Sequence, residues 1–201
     1  YVTFIDDDDT AEPDMLEFLH ALAVECDADI ALCGSYKEVN GEILPNCVFD
    51  EKLIMTPEEA VVTLLKRKKY GAGMPAKLFS KKLFDTIHFE NNRKYEDIHT
   101  TYKYFANAKC VIAHGMPKYR VFRHRGNNSS FTTNDLLLTP GQLDEYFEAF
   151  RERTVYIGCL ALIVSRREER LCHIDRIERN DRRRGVKEMQ VIAPDQPGYC
   201  P

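Results

Sequence analysis

Tyr1-Val2-Thr3-Phe4-Ile5-Asp6-Asp7-Asp8-Asp9 opens the chain, and the abrupt change of character after Ile5 sets the frame for everything that follows. The apolar run predicts a buried strand. Four aspartates cannot continue it, because each buried charge needs water, a partner or a metal. The acids therefore belong at a strand end. Pro13 then stands at a tolerated first-turn position, and Met15, Leu16, Leu19, Leu22 and Ala23 recur at helical spacing. Strand, acidic turn, helix is the predicted local order.

Working outward, Asp29 to Cys33 predicts a second strand, and Asn40-Gly41 between Tyr36–Val39 and Ile43–Leu44 is a two-residue hairpin signal. Thr56-Pro57-Glu58-Glu59 has a capping hydroxyl, a first-turn proline and a glutamate three residues after the cap, which predicts a helix to about Lys69, stopped by Gly71-Ala72-Gly73. A short helical stretch is expected from Lys77 to Phe84. Glu96-Asp97 begins another helix with Ile98, Tyr102 and Phe105 on its apolar face, its acids placed where the macrodipole favours them. Strands are expected at Cys110–Ala113 and Tyr119–Phe122. Pro140 then starts a long helical region, apolar through Leu143, Tyr146, Phe147 and Phe150, that runs past Leu160. The mixture is α/β, with helices packed on a sheet.

Composition narrows the function classes. The 201 residues are 44 % hydrophobic and 30 % charged, enough for a core of one domain with an appendage. No window reaches the roughly 18 apolar residues of a membrane span, and the N-terminus lacks a signal-peptide pattern, so a cytoplasmic location is expected. Seven cysteines without close-set pairs suit a reducing compartment, with neither a disulfide framework nor structural zinc. The net charge of −4 is uneven: residues 151–201 hold 11 Lys/Arg against 8 Asp/Glu, leaving 17 against 24 before them. An acidic body disfavours nucleic acid. Arg166, Arg167, Arg182, Arg183 and Arg184 are candidates for peripheral contact with the inner face of a membrane, although a solvated helix face explains most such runs.

In an extended segment Asp6 and Asp8 project to one side and can share a cation, with Asp7 turned elsewhere. Oxygen ligands suit Mg²⁺ or Mn²⁺, and such an ion offsets the charge of a departing diphosphate. Asp6-x-Asp8-x-Thr10 also matches the nucleophile motif of haloacid-dehalogenase-like phosphatases, although the later acidic motif of that class is missing. A calcium loop from Asp6 fails at Ala11, where the turn wants glycine.

Phe4-Ile5-Asp6-Asp7-Asp8-Asp9, the spacing to Asp29-Ile30, Pro75-Ala76-Lys77-Leu78-Phe79, Leu83-Phe84, Phe89, Tyr95-Glu96-Asp97-Ile98 and Phe122-Arg123-His124-Arg125 with Ser129-Ser130 together resemble family 2 glycosyltransferases of bacterial surface-polysaccharide synthesis. The aspartate run alone is weakly specific; the added Glu-Asp pair makes the pattern stronger. The resemblance covers residues 1–131 and implies the C-terminal part of a GT-A fold, a Rossmann-like mixed sheet flanked by helices, with residues 132–201 as a helical extension. It further implies an inverting transfer from a nucleotide-diphosphate sugar, a uridine nucleotide being the family's suggestion, to a saccharide or lipid-linked saccharide acceptor. In that scheme Asp8 and Asp6 hold Mn²⁺ or Mg²⁺, and Asp97 is the general base beside Glu96. Asp6, Asp7, Lys77, Arg123 and Arg125 would face the donor or acceptor. Thr10 departs from the family, where a large aromatic is common. The family's nucleotide-binding half is expected upstream of Tyr1, so the chain alone is expected to be inactive or to serve as a non-catalytic binding module.

Overall fold

Two long strands, β3 (Ile30–Val39) and β7 (Val111–Arg123), run parallel and form the spine of a mixed sheet, seven-stranded among the described residues, in this computed structural model. The structure describes residues 1–91, 93–124 and 139–183, of which 162–183 as helical backbone alone. The remaining strands are β1 (Val2–Thr3), β2 (Thr10–Ala11), β4 (Glu42–Asn46), β5 (Lys52–Met55) and β6 (Lys77–Phe79). The helices are α1 (Met15–Glu25), α2 (Pro57–Lys66), α3 (Glu96–Asn107) and α4 (Pro140–Arg183). Along its main path the sheet is ordered β1-β6-β3-β7-β2.

Each spine strand changes its outer partner halfway. Ile30–Leu32 of β3 pair antiparallel with β6, whereas Ser35–Val39 pair with β4. On β7, Val111–His114 pair with β5, and Tyr119–Arg120 pair with β2. The changeover lies where the parallel register slips, between Cys33 and Ser35. Glycine is required there: a Cβ on Gly34 would lie 2.1 Å from the Gly115 carbonyl oxygen, and one on Gly115 would lie 2.1 Å from the Phe49 nitrogen. Two backbones cross at a distance that only hydrogen allows.

Several expectations hold. Asn40 and Gly41, with φ of 53° and 83°, form the hairpin turn between β3 and β4. Thr56 and Glu59 complete a capping box on α2. Others are corrected. The Lys77–Phe84 stretch is β6 followed by a 3₁₀ turn, Lys81–Asp85, because Lys77, Leu78 and Phe79 are claimed by ladders to β3 and β1. The two strands after Ala108 are one bulged strand. Helix α2 stops at Lys66, where Arg67 turns left-handed, before the glycines are reached. Helix α1 starts at Met15 instead of Pro13, and Leu16 is exposed. The opening strand shrinks to Val2–Thr3, and β5 lies in a segment without a clear alternation.

One layer of core packs Met15, Leu19, Leu22 and Ala23 of α1 against Ala31, Cys33, Leu78, Ile112 and Tyr119 of the sheet. Each large side chain contributes about 1.5–3 kcal/mol of apolar burial. Elsewhere Phe4, Phe79, Phe84, Phe89 and Tyr104 form an aromatic cluster with ring centroids 4.7–6.2 Å apart. Residues Pro140–Thr154 of α4 belong to a first compact unit, Tyr1–Thr154, and the rest to a second, Val155–Pro201. Within the first unit Tyr146, Ala149 and Phe150 pack with Tyr95 and Ile98, while Leu143 and Phe147 are exposed. Among the described residues, no helix is long and apolar enough to cross a membrane.

Gly34→Ala is expected to cost about 3 kcal/mol, because backbone on the opposite strand has nowhere to retreat. Gly41→Ala, in open space at positive φ, should cost about 1 kcal/mol. Urea denaturation of the two variants measures the difference.

Candidate functional site

The aspartate run is a tight turn rather than an extended strand end. The Asp9 amide donates to the Asp6 carbonyl at 3.2 Å, so the two-residue alternation expected for Asp6 and Asp8 does not apply. Strand β7 holds this turn at both ends. The Asp6 amide donates to the Tyr119 hydroxyl at 3.0 Å, and the Phe122 amide donates to Asp9 Oδ1 at 2.9 Å. Tyr119 also interacts with the Asp9 side chain, and burial above all pushes its phenol upward.

The four acids thus divide their labour. Asp9 is a structural acceptor. Asp7 is exposed in the turn, and Asp8 Oδ2 lies 3.5 Å from His124 Nε2. Asp6 presents exposed surface, yet desolvation raises its carboxyl, followed by the charges of Asp9, Asp8, Asp7 and Glu96. Glu96 is the weakest of these influences on Asp6.

Helix α3 presents the second cluster. Tyr95 precedes it in the left-handed region at φ 58°, and the His99 amide donates to the Tyr95 carbonyl at 3.1 Å to begin the helical ladder. Glu96 is exposed, and Asp97 is half-buried. Asp97 Oδ1 accepts from the Ile98 amide at 2.8 Å, satisfying one of the first-turn donors that a helix leaves unpaired.

The basic candidates separate. Lys77 is 5 % exposed, and its ammonium donates to the carbonyls of Gly73 and, at 3.3 Å, Pro75. Arg123 closes β7 opposite Val39, and Arg125 lies outside the described residues. His99 is 3 % exposed and pairs with Glu152 at 2.8 Å, which also holds Arg93 at 3.0 Å. Arg93, Lys94, His99, Glu145 and Glu148 line a cavity of about 290 Å³. Arg93 and Lys94 already face the glutamates of α4 there.

Among the described residues no group of three or more His, Cys, Asp or Glu side chains is arranged to hold a metal. A divalent ion at the turn would rest on Asp8 and Asp6, with a ligand's own oxygens completing its shell. The crowding of carboxylates that raises Asp6 is the kind of charge such an ion relieves. Sequence reading passed over Asp9 and Tyr119, which shape the turn; only a register linking β7 to the turn exposes them.

A raised carboxyl costs stability as pH rises through its folded pKa, because the unfolded chain releases that proton more readily. Asp6→Asn should therefore stabilise the chelator-treated chain at pH 7, by less than about 1 kcal/mol given solvent screening. The gain should vanish in acid, where wild-type Asp6 is itself protonated. Thermal melts across pH measure this.

No protein-family model matches the chain. Over 146 residues, 68 % of its length, it is 26 % identical to glycosyltransferase GlyG of Streptococcus pneumoniae serotype 4. Crystal structures of S. aureus TarS 1-349 are similar in fold. The complex with UDP matches 77 % of this chain with a TM-score of 0.54 at 22 % identity. The complex with UDP-GlcNAc matches 64 % with a TM-score of 0.51 at 24 % identity. The chain spans about half of GlyG, 48 %, and 39 % and 36 % of the two TarS chains. Its mixed α/β sheet is GT-A-like, and its sequence is similar to that of a glycosyltransferase.

Proposed function

We propose that this chain carries the metal and base side of an inverting, metal-dependent family 2 glycosyltransferase. The enzyme would transfer a sugar from a nucleotide-diphosphate donor to a hydroxyl of a saccharide or lipid-linked saccharide in surface-polysaccharide synthesis. The observation that carries this reading is the similarity in sequence to glycosyltransferase GlyG over 68 % of the chain, joined to a GT-A-like fold and to the acidic clusters Asp6–Asp9 and Glu96–Asp97. Similarity to GlyG supports a transferase, and the UDP and UDP-GlcNAc complexes of TarS support a uridine-nucleotide donor.

In this scheme Asp97 accepts the acceptor hydroxyl proton as that oxygen attacks the anomeric carbon from the face opposite the leaving group. The anomeric C–O bond breaks, and the nucleoside diphosphate leaves with its electron pair. Glu96 sits beside the base at the mouth of the helix. Asp8 and Asp6 would hold Mn²⁺ or Mg²⁺, which supplies charge compensation for the leaving diphosphate when bound. Asp7, Arg123 and Arg125 are the proposed donor contacts. We place the reaction at the cytoplasmic face of a membrane, with the arginine-rich end of α4 as a peripheral contact.

In the protein that carries this chain, chelation should abolish transfer from UDP-sugars, and Mn²⁺ or Mg²⁺ should restore it. Asp97→Asn should lower kcat by about 10²–10⁴-fold. Full activity in that variant would sink the proposed base. Release of phosphate from aryl phosphates through an acid-labile aspartyl intermediate at Asp6 would replace this reading with a phosphatase.

A further inference from the structure

The two faces of the sheet hold different helices, and one face carries the acid pair. Leu78 of β6 belongs to the core beneath α1, whereas its neighbour Phe79 meets Tyr104 of α3 at 5.6 Å between ring centroids. Successive strand residues point to opposite faces, so α1 and α3 lie on opposite sides. On β7, Tyr119 and Val121 pack into the α1 core. Arg120 and Phe122 therefore point to the α3 side, where Glu96 and Asp97 open their helix. The parallel register sets Tyr36 beside Arg120 and Glu38 beside Phe122, and Thr10 of β2 stands opposite Arg120. These five side chains share one face. Thr10 is exposed and the other four are half-buried. His124, next in the alternation of β7, lies with its Nε2 3.5 Å from Asp8 Oδ2, so this face leads to the aspartate turn. At strand spacing it runs about 13 Å from Arg120 to His124, longer than a single sugar ring.

The polar chemistry of this face is incomplete. Arg120 Nη1 lies 3.7 Å from Glu38 Oε2, close enough for an ion pair and too far for a hydrogen bond. Arg120 Nε is buried without a hydrogen-bond acceptor among the described residues, a costly state that calls for a partner. Neighbouring hydroxyls on a ligand can accept from the guanidinium and donate to the carboxylate, meeting both needs. Tyr36 and Phe122 flank the pair with aromatic rings, on which the C–H face of a sugar packs. The charges of Arg120 and Glu38 oppose each other, and the carboxylates of the aspartate turn repel anions from one end. A neutral ligand is therefore favoured over an anionic one. We infer that Arg120 and Glu38 bind a neutral saccharide, the acceptor of the transfer, along the face formed by Tyr36, Phe122 and Thr10, with its reacting end toward the aspartate turn. This rests on the transferase reading. The small side chain of Thr10 leaves the guanidinium approachable from the edge of the sheet.

Two measurements test it. In the first, the labelled protein that carries this chain is exposed to a printed panel of neutral and acidic oligosaccharides. At least one neutral glycan should bind, and Arg120→Met should weaken that binding about tenfold or more. Arg120→Lys should not restore it, because an ammonium does not reproduce the guanidinium fork. Thr10→Trp changes an exposed edge position and leaves Arg120 in place; by crowding the guanidinium it should weaken binding to a similar degree, and it decides the matter if Arg120→Met fails to fold. Binding to no neutral glycan, or binding indifferent to Thr10→Trp and Arg120→Met, overturns the inference. Binding confined to acidic glycans overturns it as well, since Arg120 would then be an oxyanion contact. The second measurement is transfer from UDP-sugars to the glycan that binds. The same variants should raise acceptor KM about tenfold, with donor KM changed less than about twofold. Transfer with acceptor KM unchanged sinks this site and leaves the transferase reading standing. Glycan binding that depends on Arg120, without turnover of any UDP-sugar, sinks the transferase reading and leaves the saccharide site standing.

Discussion

The parallel ladder between β3 and β7 governs the rest of the molecule, and it persists through its bulge because Gly34 and Gly115 let two backbones pass at a separation no side chain tolerates. Below the crossing, β6 and β5 flank the spine; above it, β4 and β2 do. This exchange brings β2, and with it the aspartate turn, onto the upper half of β7. Tyr119 and Phe122 are then in register to grip Asp6 and Asp9. A straight, unbulged ladder would present other residues of β7 to the turn, since a one-residue slip reverses the face of every side chain.

The acid-rich end is a balance between repulsion and anchoring. Four adjacent carboxylates repel one another, and Glu96 adds to the repulsion at Asp6. Hydrogen bonds from Phe122 to Asp9 and from Asp6 to Tyr119 hold the turn in place despite it. The first-turn amide of Ile98 brings opposite polarity to Asp97. The candidate site thus has two regions of different character: a crowded anionic turn, and a helix end where the Asp97 carboxylate accepts a first-turn amide.

Features whose cause lies within a few residues were legible in the sequence. The Asn40-Gly41 hairpin needs only a turn dipeptide, the Thr56–Glu59 box only a three-residue spacing, and the start of α3 only acids before an amphipathic run. Features fixed by distant partners were not. Strand β6 is three residues long and exists because β1 and β3 flank it. The stretch Val111–Arg123 looked like two strands because its bulge interrupts the alternation, yet pairing with β3 continues across it. The acids themselves were conspicuous, but the conversion of an extended run into a turn depends on Tyr119, more than 100 residues away. The surroundings of Lys77 were hidden for the same reason: only the packed fold shows that its ammonium is buried and donates to the Gly73 carbonyl.

Ala76 and Tyr95, the residues just before Lys77 and Glu96, both lie in the left-handed region at φ 61° and 58°. For residues with a β-carbon that conformation costs about 1–2 kcal/mol each, and the surrounding packing must hold it. Tyr95 is gripped by Tyr146 at 5.2 Å between ring centroids, and Ala76 by the Cys33 amide at 3.1 Å to its carbonyl. The lysine and the acid pair are therefore delivered by hinges that folding has already set. A ligand arriving at this end of the sheet meets a shape whose ordering entropy was spent when the chain folded, and its own binding energy stays available for whatever chemistry follows.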